Sequence, residues 1–244
     1  MTKLTERGSV YKTSGGLNNK SSRRIVSLKK HTRKGKFGYI RIKSKSQKNK
    51  KGGGKMGVTD LLFQDNPLLT HLPELPETLE NLMCENNPLL THLPELPQTL
   101  EYLECAKNPL LTDLPELPRN LKYLNCSDND SLTHLPELPR NLTYLNCSDN
   151  DSLTHLPELP QNLTDLRCSN NPKLTVLPDL PETLRILDCS NCPKLTVLPD
   201  LPENLTNLYC SNCPLLKELY PFEKLTIENI RKYQNESYRS YEFK

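Results

Sequence analysis

The sequence predicts a β-dominated solenoid of the α/β type, in which short repeats stack into one parallel sheet. Two observations predict this fold. Apolar residues return every 21 residues from Val58 to Leu205 without an insertion, and each of the eight units combines a short alternating apolar stretch with a segment that contains prolines. Such a strict period is typical of a linear array of stacked units, each too small to bury a core alone.

The first part of each unit has the pattern of a strand. The unit that starts at Leu79 reads LxxLxCxxNxxLxxLPxLPxx, with alternate apolar positions at Leu82 and Cys84. Alternation of this kind favours a short strand, and successive units then lie about 4.8 Å apart in the sheet. Asn87 follows, where its side chain can satisfy backbone groups as the chain leaves the strand. Cys192 and Cys213 replace this asparagine in the last two units.

The second part of each unit, LPxLP, predicts an extended return. Proline has no N–H group to donate and pushes the residue before it toward extended geometry. This segment therefore fits neither a helix nor a ladder strand, and we expect a polyproline-like stretch on the convex side. The parallel sheet then forms the concave side, and repeats built from helices are excluded.

The nine positions from Leu79 to Asn87 match the leucine-rich-repeat signature, which allows Asn or Cys at the ninth. Residues 58–219 resemble the short leucine-rich repeats of bacterial effectors of the YopM and IpaH kind, and also repeat proteins of large DNA viruses. Their units likewise run LPxLPxxLxxL, although the present unit is one residue longer and has Cys where Val or Leu is usual. IpaH-like proteins carry a large ubiquitin-ligase domain after the repeats, whereas residues 220–244 are few, so the resemblance does not imply that activity.

Charge and backbone composition change sharply near residue 57. Residues 1–57 contain 18 Lys and Arg, one acidic residue and all nine glycines, whereas residues 58–244 contain 14 basic residues, 28 acidic residues and all 21 prolines. We therefore expect a disordered basic arm over 1–57 and a repeat domain of eight units over 58–219.

The final segment, 220–244, predicts a helical cap and tail. Phe222, Leu225, Ile230 and Tyr233 fall roughly on one helical face, which could cover the last repeat. We expect no comparable apolar cap before Val58.

Variable strand positions supply the candidate protein-binding residues, because alternate residues of such a strand face solvent. Tyrosine stands at the second position of three consecutive units, and tyrosine is a rigid, amphipathic contact residue. Asparagine and aspartate columns lie beside it. The predicted binding residues are Tyr102, Tyr123, Tyr144, Asn125, Asn146, Asp128 and Asp149. Recent duplication of nearly identical units is the alternative explanation of these columns.

The basic arm has its own candidate function. It can bind polyanions without sequence preference, or it can serve as a localisation signal. The candidate residues are Arg23, Arg24, Lys29, Lys30, Arg33, Lys34 and Lys36.

Two other columns resemble metal sites but are explained by the repeat period. Cys189, Cys192, Cys210 and Cys213 have a zinc-like spacing, yet the column they belong to begins at Cys84, so we interpret them as buried thiols, with zinc as the alternative. His71, His92, His134 and His155 share one convex position that we interpret as solvated.

These features favour a non-enzymatic protein-interaction module without cofactors. The alternative is a nucleic-acid-binding or packaging protein that acts through the arm, and a weaker one is a substrate adaptor for ubiquitin ligation. The N-terminus lacks the apolar core of a secretory signal, and no run of residues is long and apolar enough to span a membrane. We therefore expect an intracellular location, in the cytoplasm or nucleus.

Overall fold

The structure is a computed structural model that describes the backbone of residues 24–28, 40–46 and 56–242 and the side chains of residues 57–236. Within these residues the chain forms strands followed by two helices. The elements are β1 (Arg24–Leu28), β2 (Ile40–Ser46), β3 (Met56–Leu62), β4 (Asn81–Met83), β5 (Tyr102–Glu104), β6 (Tyr123–Asn125), β7 (Tyr144–Asn146), β8 (Asp165–Arg167), β9 (Ile186–Asp188), β10 (Asn207–Tyr209), α1 (Pro214–Leu219) and α2 (Ile227–Glu242).

All of these strands lie in one sheet in chain order. From β3 to β10 the neighbouring strands are parallel, with one strand per repeat, so the predicted solenoid with a parallel sheet is confirmed. Paired residues are always 21 positions apart; Leu82, for example, pairs with Leu103, and Leu103 pairs with Leu124. The same position of every unit is therefore stacked directly on its neighbours.

The core lies on one side of this sheet. In β4 to β9 the leucine at the centre of the strand and the cysteine two residues later point inward, and Leu82 and Cys84, for example, are fully buried. The LPxLP segment that closes the unit contains neither helix nor strand, and its leucines, such as Leu93 and Leu96, cover the core from the opposite side. The predicted extended return is thus observed.

A ladder of buried asparagines connects successive units at the point where each strand ends. Asn129 is representative: its side-chain oxygen accepts a hydrogen bond from the backbone N–H of Asn108 at 2.8 Å. Its amide donates to the carbonyls of Cys126 at 2.9 Å and Cys105 at 3.1 Å. One side chain therefore satisfies three buried backbone groups in two units. The members of this asparagine ladder are Asn87, Asn108, Asn129, Asn150 and Asn171.

Cysteine takes over this position in the last two units. The Cys192 thiol donates to the Cys168 carbonyl at 3.3 Å, and the Cys213 thiol donates to the Cys189 carbonyl at 3.2 Å. The thiol keeps a donor for the neighbouring unit, although a thiol is a weaker donor than an amide.

A left-handed residue stands just before the ladder position in every unit. Its φ lies between 55° and 58°, a region that Asn and Asp tolerate better than most residues. This requirement explains why the position is almost always Asn or Asp. The residues are Asp65, Asn86, Lys107, Asp128, Asp149, Asn170, Asn191 and Asn212.

The N-terminal end of the sheet differs from the sequence-based expectation. β1 and β2 form an antiparallel pair, and β2 pairs antiparallel with β3, so the sheet continues beyond the first repeat. The alternation of Ile40-Arg-Ile-Lys43 is a strand pattern that the strongly basic average composition of residues 1–57 concealed. We expected a disordered arm with nothing that covers the first repeat before Val58. The strands β1 and β2 differ from that expectation. The rest of the predicted arm lies outside the described residues.

At the other end, α1 and α2 follow the last repeat. Pro214 occupies the first turn of α1, where its missing N–H costs nothing. From α2, Ile230 is fully buried, and the side chains of Arg231 and Gln234 donate to backbone carbonyls of the last LPxLP segment. α2 begins only at Ile227, so Phe222 and Leu225 precede the helix instead of sharing its face.

The ladder makes a prediction about stability. Replacing Asn129 with Ala leaves the buried N–H of Asn108 without a partner, which costs about 1–3 kcal/mol. It also removes one of the two amide bonds to each of the Cys105 and Cys126 carbonyls, which keep their bonds from Asn108 and Asn150. We expect a loss of about 2 kcal/mol or more in the free energy of unfolding, measured by urea denaturation. Asn129→Cys should cost less, since the thiol can donate to the neighbouring carbonyl as Cys192 does.

The exposed Asn120, whose amide donates to the Gln98 carbonyl at 2.8 Å, provides the matched control. Asn120→Ala should cost less than about 1 kcal/mol, because water replaces the lost bond. Equal losses for Asn120→Ala and Asn129→Ala would contradict the role assigned to the ladder.

Candidate functional site

Three tyrosines form a continuous stack on the solvent-facing side of the parallel sheet. The ring centroids of Tyr102 and Tyr123 lie 4.2 Å apart with planes 8° from parallel, and those of Tyr123 and Tyr144 lie 4.4 Å apart with planes 1° from parallel. The rings are half-buried. This geometry follows from the strict 21-residue register, which places the three rings directly opposite one another on adjacent strands. We call this group the tyrosine stack.

An arginine closes the β8 end of the tyrosine stack. The guanidinium carbon of Arg167 lies 5.7 Å from the centroid of the Tyr144 ring, within the range of a cation–π contact. Arg167 is held by two bonds to the Asp165 carboxylate, from Nε at 3.1 Å and from Nη2 at 3.2 Å. Sequence reasoning missed Arg167, although its place on the strand next to the last tyrosine was a usable signal.

A carboxylate lies at the β5 end of the stack. Glu104 is only 8% exposed, and its side chain accepts hydrogen bonds from the Tyr102 hydroxyl at 3.2 Å and the Asn125 amide at 2.6 Å. Burial raises the pKa of Glu104, and the nearby charge of Glu85 raises it further. Sequence reasoning missed this residue as well, because a single Glu among many acidic residues carries no signal of burial.

The tyrosine hydroxyls stay protonated at neutral pH. Burial is the main reason that the pKa values of Tyr102 and Tyr123 are raised and that the pKa of Tyr144 is raised to about 12. The tyrosine stack therefore offers apolar ring edges and neutral hydroxyl groups to whatever contacts it.

The other four predicted binding residues lie beside the stack and also serve the turns. The side-chain oxygens of Asn125 and Asn146 each accept a backbone N–H two residues later, at 3.1 Å. Asp128 and Asp149 occupy the left-handed position described above. Burial raises the pKa of Asp149, and the charge of Asp128 adds to this. The turn geometry thus explains these residue types whether or not a protein binds there. Their role in binding stays a prediction.

The cysteines are buried thiols. All nine are free, and burial raises the pKa of each; those of Cys192 and Cys210 rise to about 11. Of the four cysteines with zinc-like spacing, Cys192 and Cys213 donate to backbone carbonyls, while Cys189 and Cys210 belong to the strand column. In the part of the chain that the structure describes, no group of three or more His, Cys, Asp or Glu could hold a metal ion.

The histidine column is exposed, as expected from its convex position. Each ring nitrogen Nδ1 lies 2.9–3.0 Å from the hydroxyl of the threonine before it. The residues are His71, His92, His134 and His155.

The candidate polyanion-binding residues are largely outside the described chain. Arg24 opens β1 and pairs with Ser44 of β2. The other predicted residues, Arg23, Lys29, Lys30, Arg33, Lys34 and Lys36, lie outside the described residues, so this site stays a prediction. None of the helices in residues 56–242 has the length and apolar character needed to cross a membrane.

Comparisons with known proteins agree with this geometry. The family model described as Leucine Rich Repeat matches residues 183–205. The solved structure of YopM, a leucine-rich effector protein from Yersinia pestis, is similar to 62% of this chain at 38% sequence identity, with a TM-score of 0.50. The repeats of this chain have the fold of a leucine-rich-repeat solenoid.

The solenoid spans about half of that relative, since the match covers 48% of the YopM chain. The functional domain of InlJ from Listeria monocytogenes matches 71% of the present chain and 56% of its own, at 21% identity and a TM-score of 0.28. No curated protein matches the chain by sequence. The resemblance to repeat proteins of large DNA viruses stays a prediction.

Glu104 makes a prediction about pH. Because its pKa is raised in the folded chain, the folded chain binds this proton more tightly than the unfolded chain does. The resulting stabilisation is complete below the ordinary pKa of 4.5 and is lost as the pH rises through the higher folded value. We expect Glu104→Gln to remove this pH dependence. The melting temperature of the variant minus that of wild type should therefore be larger at about pH 7 than at about pH 4.

Thermal unfolding followed by circular dichroism measures this difference. Glu101→Gln is the matched control, because it removes an exposed carboxylate from the same unit, one that pairs with Lys122 at 2.9 Å. A difference from wild type that is the same at both pH values would show that Glu104 carries no raised pKa.

Proposed function

We propose that the chain is a non-enzymatic protein-interaction module whose partner binds the solvent-facing side of the parallel sheet, centred on the tyrosine stack. The observation that carries this proposal is the stack itself, in which three half-buried rings are held parallel at 4.2 and 4.4 Å on rigid strands. Aromatic side chains that are already ordered lose little entropy on binding, and tyrosine is enriched at the energetic centres of interfaces.

The fold itself does not require these tyrosines, which supports a role in binding. The same strand position holds Asn81 on β4, Asp165 on β8 and Ile186 on β9, and the register of the sheet is unchanged there. The core of the repeats consists mainly of leucines and cysteines on the other side of the sheet. Leucine-rich-repeat solenoids are suited to such binding because their extended surface is rigid and varies only at exposed positions.

Two observations support a function without catalysis. The thiols are buried with raised pKa values, so they are poor nucleophiles. The tyrosine hydroxyls are likewise protonated at neutral pH, with the pKa of Tyr144 at about 12. An intracellular location stays part of this proposal.

The partner test uses the triple variant Tyr102→Ala, Tyr123→Ala, Tyr144→Ala. We expect crosslinking and mass spectrometry in the native cell to recover the partner with wild type and to lose it with this variant. Losing one central aromatic contact typically costs 2 kcal/mol or more, so three should weaken binding by at least about a thousandfold.

The matched control replaces His92, His134 and His155 with Ala, which changes three exposed residues of one repeat position away from the sheet. Both variants should keep the wild-type circular dichroism spectrum. Capture of the same partners by the tyrosine variant would refute the assigned binding face.

The second candidate function, binding of nucleic acid, is favoured by charge alone. Residues 1–57 carry 18 basic residues against one acidic residue. The structure changes how this function must be tested, because deletion of residues 1–57 would remove β1, β2 and the start of β3. Substitution of the basic side chains keeps these strands intact.

The variant replaces Lys29, Lys30, Arg33, Lys34 and Lys36 with Gln. If these residues contact phosphates, the slope of the logarithm of affinity against the logarithm of salt concentration should fall by roughly 3.5 to 4.5 for single-stranded and duplex oligonucleotides. Fluorescence anisotropy with labelled 20-mers measures both slopes. An unchanged slope would exclude these residues as the nucleic-acid site.

A further inference from the structure

Two carboxylates at the β4–β5 end of the tyrosine stack have only neutral partners. Glu85 accepts a hydrogen bond from the Gln64 amide at 2.8 Å. Glu104 accepts from the Tyr102 hydroxyl and from the Asn125 amide. Within residues 57–236 no Lys, Arg or His forms an ion pair with either carboxylate.

The charge of Glu85 acts on Glu104, and both charges act on Tyr102. The charge of Glu85 raises the pKa of Glu104, and both charges raise the pKa of Tyr102. Two like charges close together in a half-buried place destabilise each other. A cation between them would relieve this repulsion.

At the opposite end of the tyrosine stack, a cation does lie beside the ring and the carboxylate. There, the guanidinium of Arg167 lies over the ring of Tyr144, and the carboxylate of Asp165 binds it through two bonds. A ring face, a carboxylate and a guanidinium thus contact one another at the β8 end. At the β5 end the ring face and the carboxylates are present, and the guanidinium is not supplied by residues 57–236.

The outer face of the Tyr102 ring borders β4. Its inner face is covered by Tyr123, and the residue opposite Tyr102 on β4 is Asn81. The Asn81 amide donates to the Asp60 carboxylate at 3.2 Å, and this bond directs the amide toward β3 and away from the ring.

We infer that this end of the tyrosine stack is a subsite for an arginine side chain of the protein partner, bound between the outer face of Tyr102 and the carboxylates of Glu85 and Glu104. This inference rests on the proposed function and names the chemistry of its partner. Arginine fits better than lysine, because its planar guanidinium can stack on a ring while its five donors reach carboxylates at the edge.

The direct test measures binding of two short peptides that differ in one side chain. The first is N-acetyl-Gly-Ser-Arg-Ser-Gly-amide, and the second carries citrulline, which has the same shape without the charge, in place of arginine. We expect the arginine peptide to shift the ring resonances of Tyr102 in NMR spectra of the full chain labelled at tyrosine, and to bind at least about fivefold more tightly than the citrulline peptide.

Variants locate the site. Tyr102→Leu should weaken the arginine peptide about fivefold, and Glu85→Gln should weaken it about threefold to fivefold. Tyr209→Leu is the matched control, since it removes an exposed tyrosine of β10 that lies outside the tyrosine stack. Asp188→Asn, on β9, is the control for loss of one negative charge, since the asparagine oxygen can keep the bond from the Ser190 N–H. Both controls should bind the peptide within about twofold of wild type.

Several outcomes would overturn the inference. Equal binding of the arginine and citrulline peptides would exclude a charged subsite. Weakening by Asp188→Asn as strong as that by Glu85→Gln would show general attraction to an acidic surface. The arginine peptide could also bind only after Lys29, Lys30 and Arg33 are replaced with Gln. That result would mean that the chain's own basic segment occupies the subsite at Tyr102.

The peptide test separates this inference from the proposed function. If the tyrosine stack binds a protein through neutral contacts alone, the triple tyrosine variant loses its partner while the arginine peptide fails to bind. If the peptide binds at Tyr102 but no partner depends on the stack, the proposed function fails and the subsite stands.

Discussion

The rest of the structure depends on the hydrogen bonds of the asparagine ladder. From Asn108 to Asn171 each amide, such as that of Asn129, bonds to a carbonyl of its own unit and to one of the unit before it. A unit with one extra residue before the asparagine would move its side-chain oxygen away from the backbone N–H of the preceding unit and leave that buried group unpaired. The ladder therefore holds the central units in the same register, and that register brings the tyrosine rings face to face.

The sequence was sufficient for the repeated part of the fold because the period repeats one local rule. The alternation that ends at Cys84, the ninth-position asparagine and the two prolines each describe a short-range requirement, and the structure satisfies all three. The strands β1 and β2 occur once, so no period identifies them. Their apolar residues are spread among Lys and Arg, and the average composition of residues 1–57 outweighs them.

The candidate site was predictable only in part, for the same reason. The column of Tyr102, Tyr123 and Tyr144 follows directly from the period, whereas the roles of Arg167 and Glu104 depend on contacts between different columns. The structure also separates binding candidates from turn residues. Asp128 has an acidic side chain at a position whose left-handed backbone already favours Asp or Asn, so its residue type alone indicates nothing about a partner.

In a repeat protein, function is best sought where units differ, because what is common to all units serves the stacking. The paired CxxC spacing that ends at Cys213 arises from the period, and its thiol bonds to a carbonyl as the ladder asparagines do. The tyrosine stack, by contrast, occupies three central units of the eight and is bounded by different residues at each end. An arginine with its carboxylate ends it at β8, and carboxylates with neutral partners end it at β5. The two ends of the tyrosine stack therefore differ in charge, which the repeat alone does not require. A partner bound across the stack would be oriented by this difference.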